Sequence, residues 1–141
     1  MLLKNLFEAG ADGVEVHGAF GYLLNQFIDP ASNKRTDSYG GSIENRSPFI
    51  LEVVDACIEA PGADELVIRL SPWARYMDMT ASSDPTLLVT CCYIIGELEK
   101  RAKNGNCLAY LHLLEGRVTD PFLSENEGMD ITVYNNFAKS I

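Results

Sequence analysis

The run Leu66-Val67-Ile68-Arg69-Leu70 is almost continuous in apolar residues and is stopped at once by Ser71-Pro72. An apolar run of this length suits a strand buried on both faces, the kind found in parallel sheets covered by helices. Two further runs read as strands: Gly13-Val14-Glu15-Val16-His17 and Leu108-Ala109-Tyr110-Leu111-His112-Leu113-Leu114. Between them lie stretches of helical periodicity. Apolar residues recur at i, i+3 and i+4 from Phe49 to Ile58, which predicts a helix over about Ile43–Ala60 with Ser42 as its N-cap, closed by Pro61-Gly62. A second helix is expected over about Pro85–Asn104, with Pro85 in its first turn and Gly105 just past its end. A leading helix, Leu2–Ala9, ends at Gly10. Strand and helix therefore alternate, giving an α/β fold of about three consecutive βα units.

The chain has 141 residues, one domain's worth, and its apolar content of 47% with 22% charged residues allows one modest core. The net charge of −9 argues against a nucleic-acid or acidic-membrane partner, because binding to phosphate rests on cationic neutralisation. Cys57, Cys91, Cys92 and Cys107 show neither C-x-x-C spacing nor disulfide density and read as small buried hydrophobes. The N-terminus carries Glu8 and no long apolar run, so neither a signal peptide nor a membrane span is expected, and a cytoplasmic setting is the default. With two histidines, no H-x-x-x-H and no acidic cluster at ligand spacing, no metal site is expected. G-x-G-x-x-G after a strand and G-x-x-x-x-G-K-[ST] are both absent.

In α/β folds the chemistry sits at the carboxyl ends of the strands. His17 ends the first strand, and Tyr22 follows in the adjoining loop. A phenol holds its proton at neutral pH and can give it to a developing carbanion, while an imidazole can steady a carbonyl oxygen that gains charge. Two such residues five apart are also common as plain packing. Arg69 interrupts its apolar run, so its charge must be paired or must face a ligand. An anionic or electron-accepting group and a salt bridge to Glu15 on the neighbouring strand are the two alternatives. His112, in a strand interior, reads as a satisfied core residue. The stretch Gly18–Arg46 is a long polar connection carrying short helical turns, and long loops in compact domains are commonly functional. Its dense polar part also fits an ordinary solvated loop running into a capped helix.

The string DGVEVHGAFGYLLNQFIDPASNKRTDSYGGSIENRSPFILEVVDA, followed in order by VIRLSP, GELEKRAKNG and HLLEGRVTDPFL, resembles the old yellow enzyme family of flavin-dependent ene-reductases, its fungal members above all. The resemblance implies a partial TIM (β/α)8 barrel, with residues 1–141 as a fragment matching its fourth to sixth βα units. It further implies FMN as cofactor, NADPH as reductant and a small-molecule enone as substrate. Tyr22 would protonate the substrate, His17 would hold the carbonyl, and Arg69, with His17 beside it, would lie against the flavin. Phe20, Tyr22, His17 and Phe122 would line the substrate site. In the family a second carbonyl donor, Asn or His, stands where this sequence has Phe20, and a phenyl ring cannot donate. By analogy with oxyanion-hole deletions, its loss would cost about 2–4 kcal/mol of transition-state stabilisation.

The first three and last two strands of such a barrel have no counterpart here, and the terminal YNNFAKSI reads as a cut. Three strands alone would leave open sheet edges, which invite aggregation or pairing with another chain, as in a homo-oligomer. Alongside the ene-reductase reading stands a catalytically inactive truncated remnant or interaction module of the same fold. A barrel fragment of other chemistry, such as a lyase, has no metal or Schiff-base signal behind it.

Overall fold

The computed structural model describes residues 2–59, 62–73, 77, 79, 84 and 86–114. Pro85 and Phe122 lie outside the described residues, and with them the expectations placed on each. The element order is α1 (Leu2–Glu8), β1 (Val14–Gly18), α2 (Leu23–Ile28), α3 (Ile43–Arg46), α4 (Pro48–Ile58), a 3₁₀ turn at Ala63–Glu65, β2 (Leu66–Leu70), α5 (Thr86–Lys103) and β3 (Tyr110–Leu113). The strands form one parallel sheet in the order β1-β2-β3.

The register explains the division of labour between the two faces. Val16 pairs with Ile68 and Gly18 with Leu70, and across the next ladder Ile68 pairs with Leu111 and Leu70 with Leu113. Successive side chains alternate faces, so these residues share one side. They pack against Ile50, Leu51 and Val54 of α4 and Leu87, Cys91, Ile94, Ile95 and Leu98 of α5, forming the core. The opposite face carries Glu15 and His17 from β1, Val67 and Arg69 from β2, and Tyr110 and His112 from β3. One face is hydrocarbon and the other holds the chemistry.

The helix expected over Ile43–Ala60 is two helices. Pro48 contributes no N–H and stands at the first position of α4, while Ser47 caps the end of α3 and donates its hydroxyl to the Ile43 carbonyl at 2.7 Å. Ser47 keeps α-region dihedrals, φ −86° and ψ −26°, so the interruption is one residue wide. Ser42 is the N-cap of α3, accepting from the Asn45 N–H at 3.3 Å.

The polar connection is more tightly organised than a solvated loop. Asn33 Nδ2 donates to the carbonyls of Phe27 at 2.6 Å and Tyr39 at 2.7 Å. Arg46 is buried, and its guanidinium donates to the Ile28 carbonyl at 3.0 Å, the Gly41 carbonyl at 2.6 Å and Thr90 Oγ1 at 3.1 Å. One side chain thus ties α2, the loop and α5 together, with its charge met by oxygen dipoles. A Cβ at Gly40 would collide with the Arg35 carbonyl oxygen, so the turn closes only around glycine there.

Two expectations about burial need correction. Cys91 is buried and Cys57 and Cys92 are half-buried, but Cys107 is exposed in the polar turn that follows α5. His112 is not a core residue: it stands half-exposed on the polar face of β3. Among the described residues no helix is long and apolar enough to cross a membrane.

Candidate active site

The site lies at the carboxyl ends of β1 and β2. His17 is the penultimate residue of β1 and pairs in register with Arg69, which in turn pairs with His112. Beyond Gly18 the chain turns sharply, with Phe20 at φ +55° and Gly21 at φ +75°. This turn returns the backbone so that Tyr22 becomes the N-cap residue of α2 and stands beside His17, ring centroids 5.0 Å apart and tilted by 59°. Tyr22 is 51% exposed.

Two polar side chains outside the expected set shape this turn. Asn25, buried in the first turn of α2, accepts from the Gly21 N–H at 2.8 Å, while Gln26 Nε2 donates to the Gly21 carbonyl at 2.6 Å. Ser71, just past β2, accepts from the Phe20 N–H at 2.8 Å through its hydroxyl oxygen. The signal for Asn25 is in the sequence: a polar residue three after the N-cap can satisfy backbone donors preceding the helix, as in a capping box. For Ser71 there is no local signal, because the contact spans two strands.

Of the two alternatives for Arg69, the ion pair with Glu15 is present. Its Nη1 stands 3.9 Å from Glu15 Oε1, a loose ion pair. Its Nε is buried and without a hydrogen-bond partner among the described atoms. The guanidinium carbon lies 5.3 Å from the centroid of the Phe20 ring, within cation–π range. The His17 and Phe20 rings are 6.5 Å apart. The fold therefore gathers His17, Phe20, Tyr22 and Arg69 in one place. Glu15 has a nearer partner than Arg69, because its Oε2 lies 2.8 Å from His112 Nδ1.

What the arrangement can do follows from its donors. A phenol, an imidazole and a guanidinium at the mouth of a parallel sheet can protonate carbon, hold an oxygen that gains charge, and face an electron-rich ring. A buried guanidinium N–H with no acceptor among the described residues fits an acceptor atom on a bound group. Residues 4–140 match the family model described as NADH:flavin oxidoreductase / NADH oxidase family. Enoate reductase 1 of Kluyveromyces lactis is 56% identical over 138 residues, which cover 98% of this chain and 35% of the relative. A Candida albicans protein named "Probable NADPH dehydrogenase" is 49% identical over 142 residues, covering 98% of this chain and 33% of the relative. The crystal structure of Old Yellow Enzyme from Pichia sp. AKU4542 superposes with a TM-score of 0.72 at 50% identity, over 77% of this chain and 28% of that one. The chain belongs to the NADH:flavin oxidoreductase / NADH oxidase family. It spans about a third of the length of the curated relatives it matches. The expectations of FMN and NADPH agree with the family and with the names of its relatives.

Proposed function

We propose that the chain is the central part of a (β/α)8 barrel flavoenzyme that binds FMN, takes its electrons from NADPH and reduces the C=C bond of α,β-unsaturated carbonyl compounds. The observation that carries this reading is the convergence of Tyr22, His17 and Arg69, with their rings and guanidinium clustered on the polar face of the sheet. The residues fit the flavin: the unpartnered Arg69 Nε–H would offer a donor to an electron-rich group, and His17 stands in register beside it. When bound and reduced by NADPH, FMN supplies a hydride for the β-carbon of the alkene. His17 donates to the carbonyl oxygen and stabilises the negative charge that develops there. Tyr22 delivers the proton from its Oη to the α-carbon, and being half-exposed it regains one from water. One hydride and one proton thus saturate the double bond.

A second reading rests on Phe20. With a phenyl where the family has a second carbonyl donor, the chain is a catalytically inactive remnant or interaction module of the same fold. Expressing the 141-residue chain and mixing it with FMN, NADPH and then 2-cyclohexen-1-one separates the two. A yellow protein that bleaches under NADPH and recovers its colour with the enone supports the enzyme. A protein that stays colourless supports the remnant.

A further inference from the structure

The face of the sheet that carries the site also carries a pair that none of the roles above uses. Glu15 and His112 stand on β1 and β3, the two strands flanking Arg69 on β2. A carboxylate oxygen only accepts, so the 2.8 Å contact requires His112 Nδ1 to carry the hydrogen and donate it to Glu15 Oε2. The other carboxylate oxygen, Oε1, faces Arg69 Nη1 at 3.9 Å. Glu15 is thereby shared between two donors, close to His112 and far from Arg69. The remaining side chains of this face are His17 on β1, Val67 on β2 and Tyr110 on β3, so among the described strands no second carboxylate faces the guanidinium.

The geometry points to Glu15 and His112 as a positioning pair: His112 holds the Glu15 carboxylate back from Arg69, so that the guanidinium is oriented by a loose ion pair while most of its charge remains available to the group it faces. A carboxylate in full contact with Arg69 would neutralise that charge; its absence would leave the long side chain unrestrained. The intermediate distance does neither. The inference rests on the reading that Arg69 faces a flavin, and it makes a prediction that simple structural support does not: the two substitutions act in opposite directions. Glu15→Gln removes the counter-charge, so Arg69 favours the reduced, electron-rich flavin more strongly. His112→Phe releases Glu15 to close on Arg69, so reduced flavin is favoured less.

Two measurements on the 141-residue chain test this. The first needs no flavin: in Glu15→Gln, the His112 Nδ1–H loses its charged acceptor, so its NMR resonance moves upfield and it exchanges faster with water, and the Arg69 Nε–H exchanges faster too. The second is the midpoint potential of bound FMN, which rises in Glu15→Gln and falls in His112→Phe. Each moves by roughly tenfold in the preference for reduced over oxidised flavin, about 30 mV for a two-electron couple. Circular dichroism identical to the parent confirms that the near-isosteric variants fold. Unchanged exchange of the His112 Nδ1–H and the Arg69 Nε–H overturns the inference whether or not flavin binds. Potentials that move in the same direction in a yellow protein also overturn it, while leaving the flavin reading intact. A colourless parent whose NMR responses appear as described refutes the flavin reading and retains the pair as the support of Arg69.

Discussion

The rings of His17 and Tyr22 stand 5.0 Å apart although the two residues reach that position from different elements, one from the end of β1 and the other from the start of α2. The left-handed turn at Phe20 and Gly21 makes the approach possible, and Asn25 and Ser71 hold it there. The relative placement of His17 and Tyr22 is therefore set by one short loop.

Tyr22→Phe removes only the hydroxyl. Alkene reduction by the FMN-bound chain should slow by about a hundredfold to ten-thousandfold, the usual worth of a positioned general acid. Flavin reduction by NADPH should be spared. Stopped-flow measurement of both half-reactions checks this, and equal losses in the two would remove the proton-donor role.

Phe20→Asn places a side chain that tolerates left-handed backbone at φ +55° and returns a hydrogen-bond donor to the site. Relief of left-handed strain, about 1–2 kcal/mol, is partly offset by the loss of a cation–π contact with Arg69, about 0.5–1 kcal/mol, so stability should change little. Turnover of enones should rise roughly thirtyfold to a thousandfold if a donor there is worth about 2–4 kcal/mol. Unchanged turnover would show that the second donor is not what limits the reaction.

Arg46→Met leaves the carbonyls of Ile28 and Gly41 and the Thr90 hydroxyl without their shared donor in a buried place. Denaturant unfolding should show a loss of about 2–3 kcal/mol, and Arg46→Lys should recover only part of it, since an ammonium lacks the planar fork. A loss within error of zero would mean that the loop does not depend on this guanidinium.

Much of this fold is legible in the sequence, and the reasons differ by element. β2 has the bounds that its apolar run and Ser71-Pro72 predict, because a buried strand must be apolar throughout and proline must end it. α5 ends at Lys103, just ahead of Gly105, for equally local reasons. Where local signals compete, less is legible: apolar periodicity runs through Ser47-Pro48, and only the missing proline N–H reveals two helices there. Arg46, Ser71 and the Glu15–His112 contact depend on partners far away in sequence, which periodicity cannot see. His17 and Arg69 are legible because each is a polar side chain at the end of, or inside, an apolar strand, and Tyr22 because it follows in the loop at that strand's carboxyl end.

Asp55 of α4 receives a two-pronged hydrogen bond from Arg101 of α5, Nε–Oδ1 at 2.7 Å and Nη2–Oδ2 at 2.8 Å. This contact holds the Asp55 carboxyl below its ordinary value. A depressed folded-state value adds stability above the unfolded-state value, and that stability is lost as the pH falls through the folded one. Arg101→Met should therefore lower stability at neutral pH, by less than about 1 kcal/mol because the pair is half-exposed, and the difference from the parent should vanish in acid. Urea unfolding at pH 7 and at pH 3 measures it; a difference that persists or grows in acid would contradict the pairing.

Burial pushes the Cys91 thiol up to about 12, so it holds its proton and is shielded at neutral pH. Since the thiolate is the nucleophile, iodoacetamide should label exposed Cys107 first and leave Cys91 untouched until the chain unfolds. Mass spectrometry of the native protein checks the order, and early labelling of Cys91 would contradict the packing of α5 against the sheet.

The most direct test of the site is a fluorescence and absorbance titration of the 141-residue chain with FMN, set beside the same titration of Arg69→Gln. Saturable quenching of flavin fluorescence by the parent chain, with affinity at least tenfold weaker in the variant, is the predicted result. Equal titrations for the two proteins, with quenching or without it, would show that the guanidinium beside His17 and Tyr22 does not face a flavin.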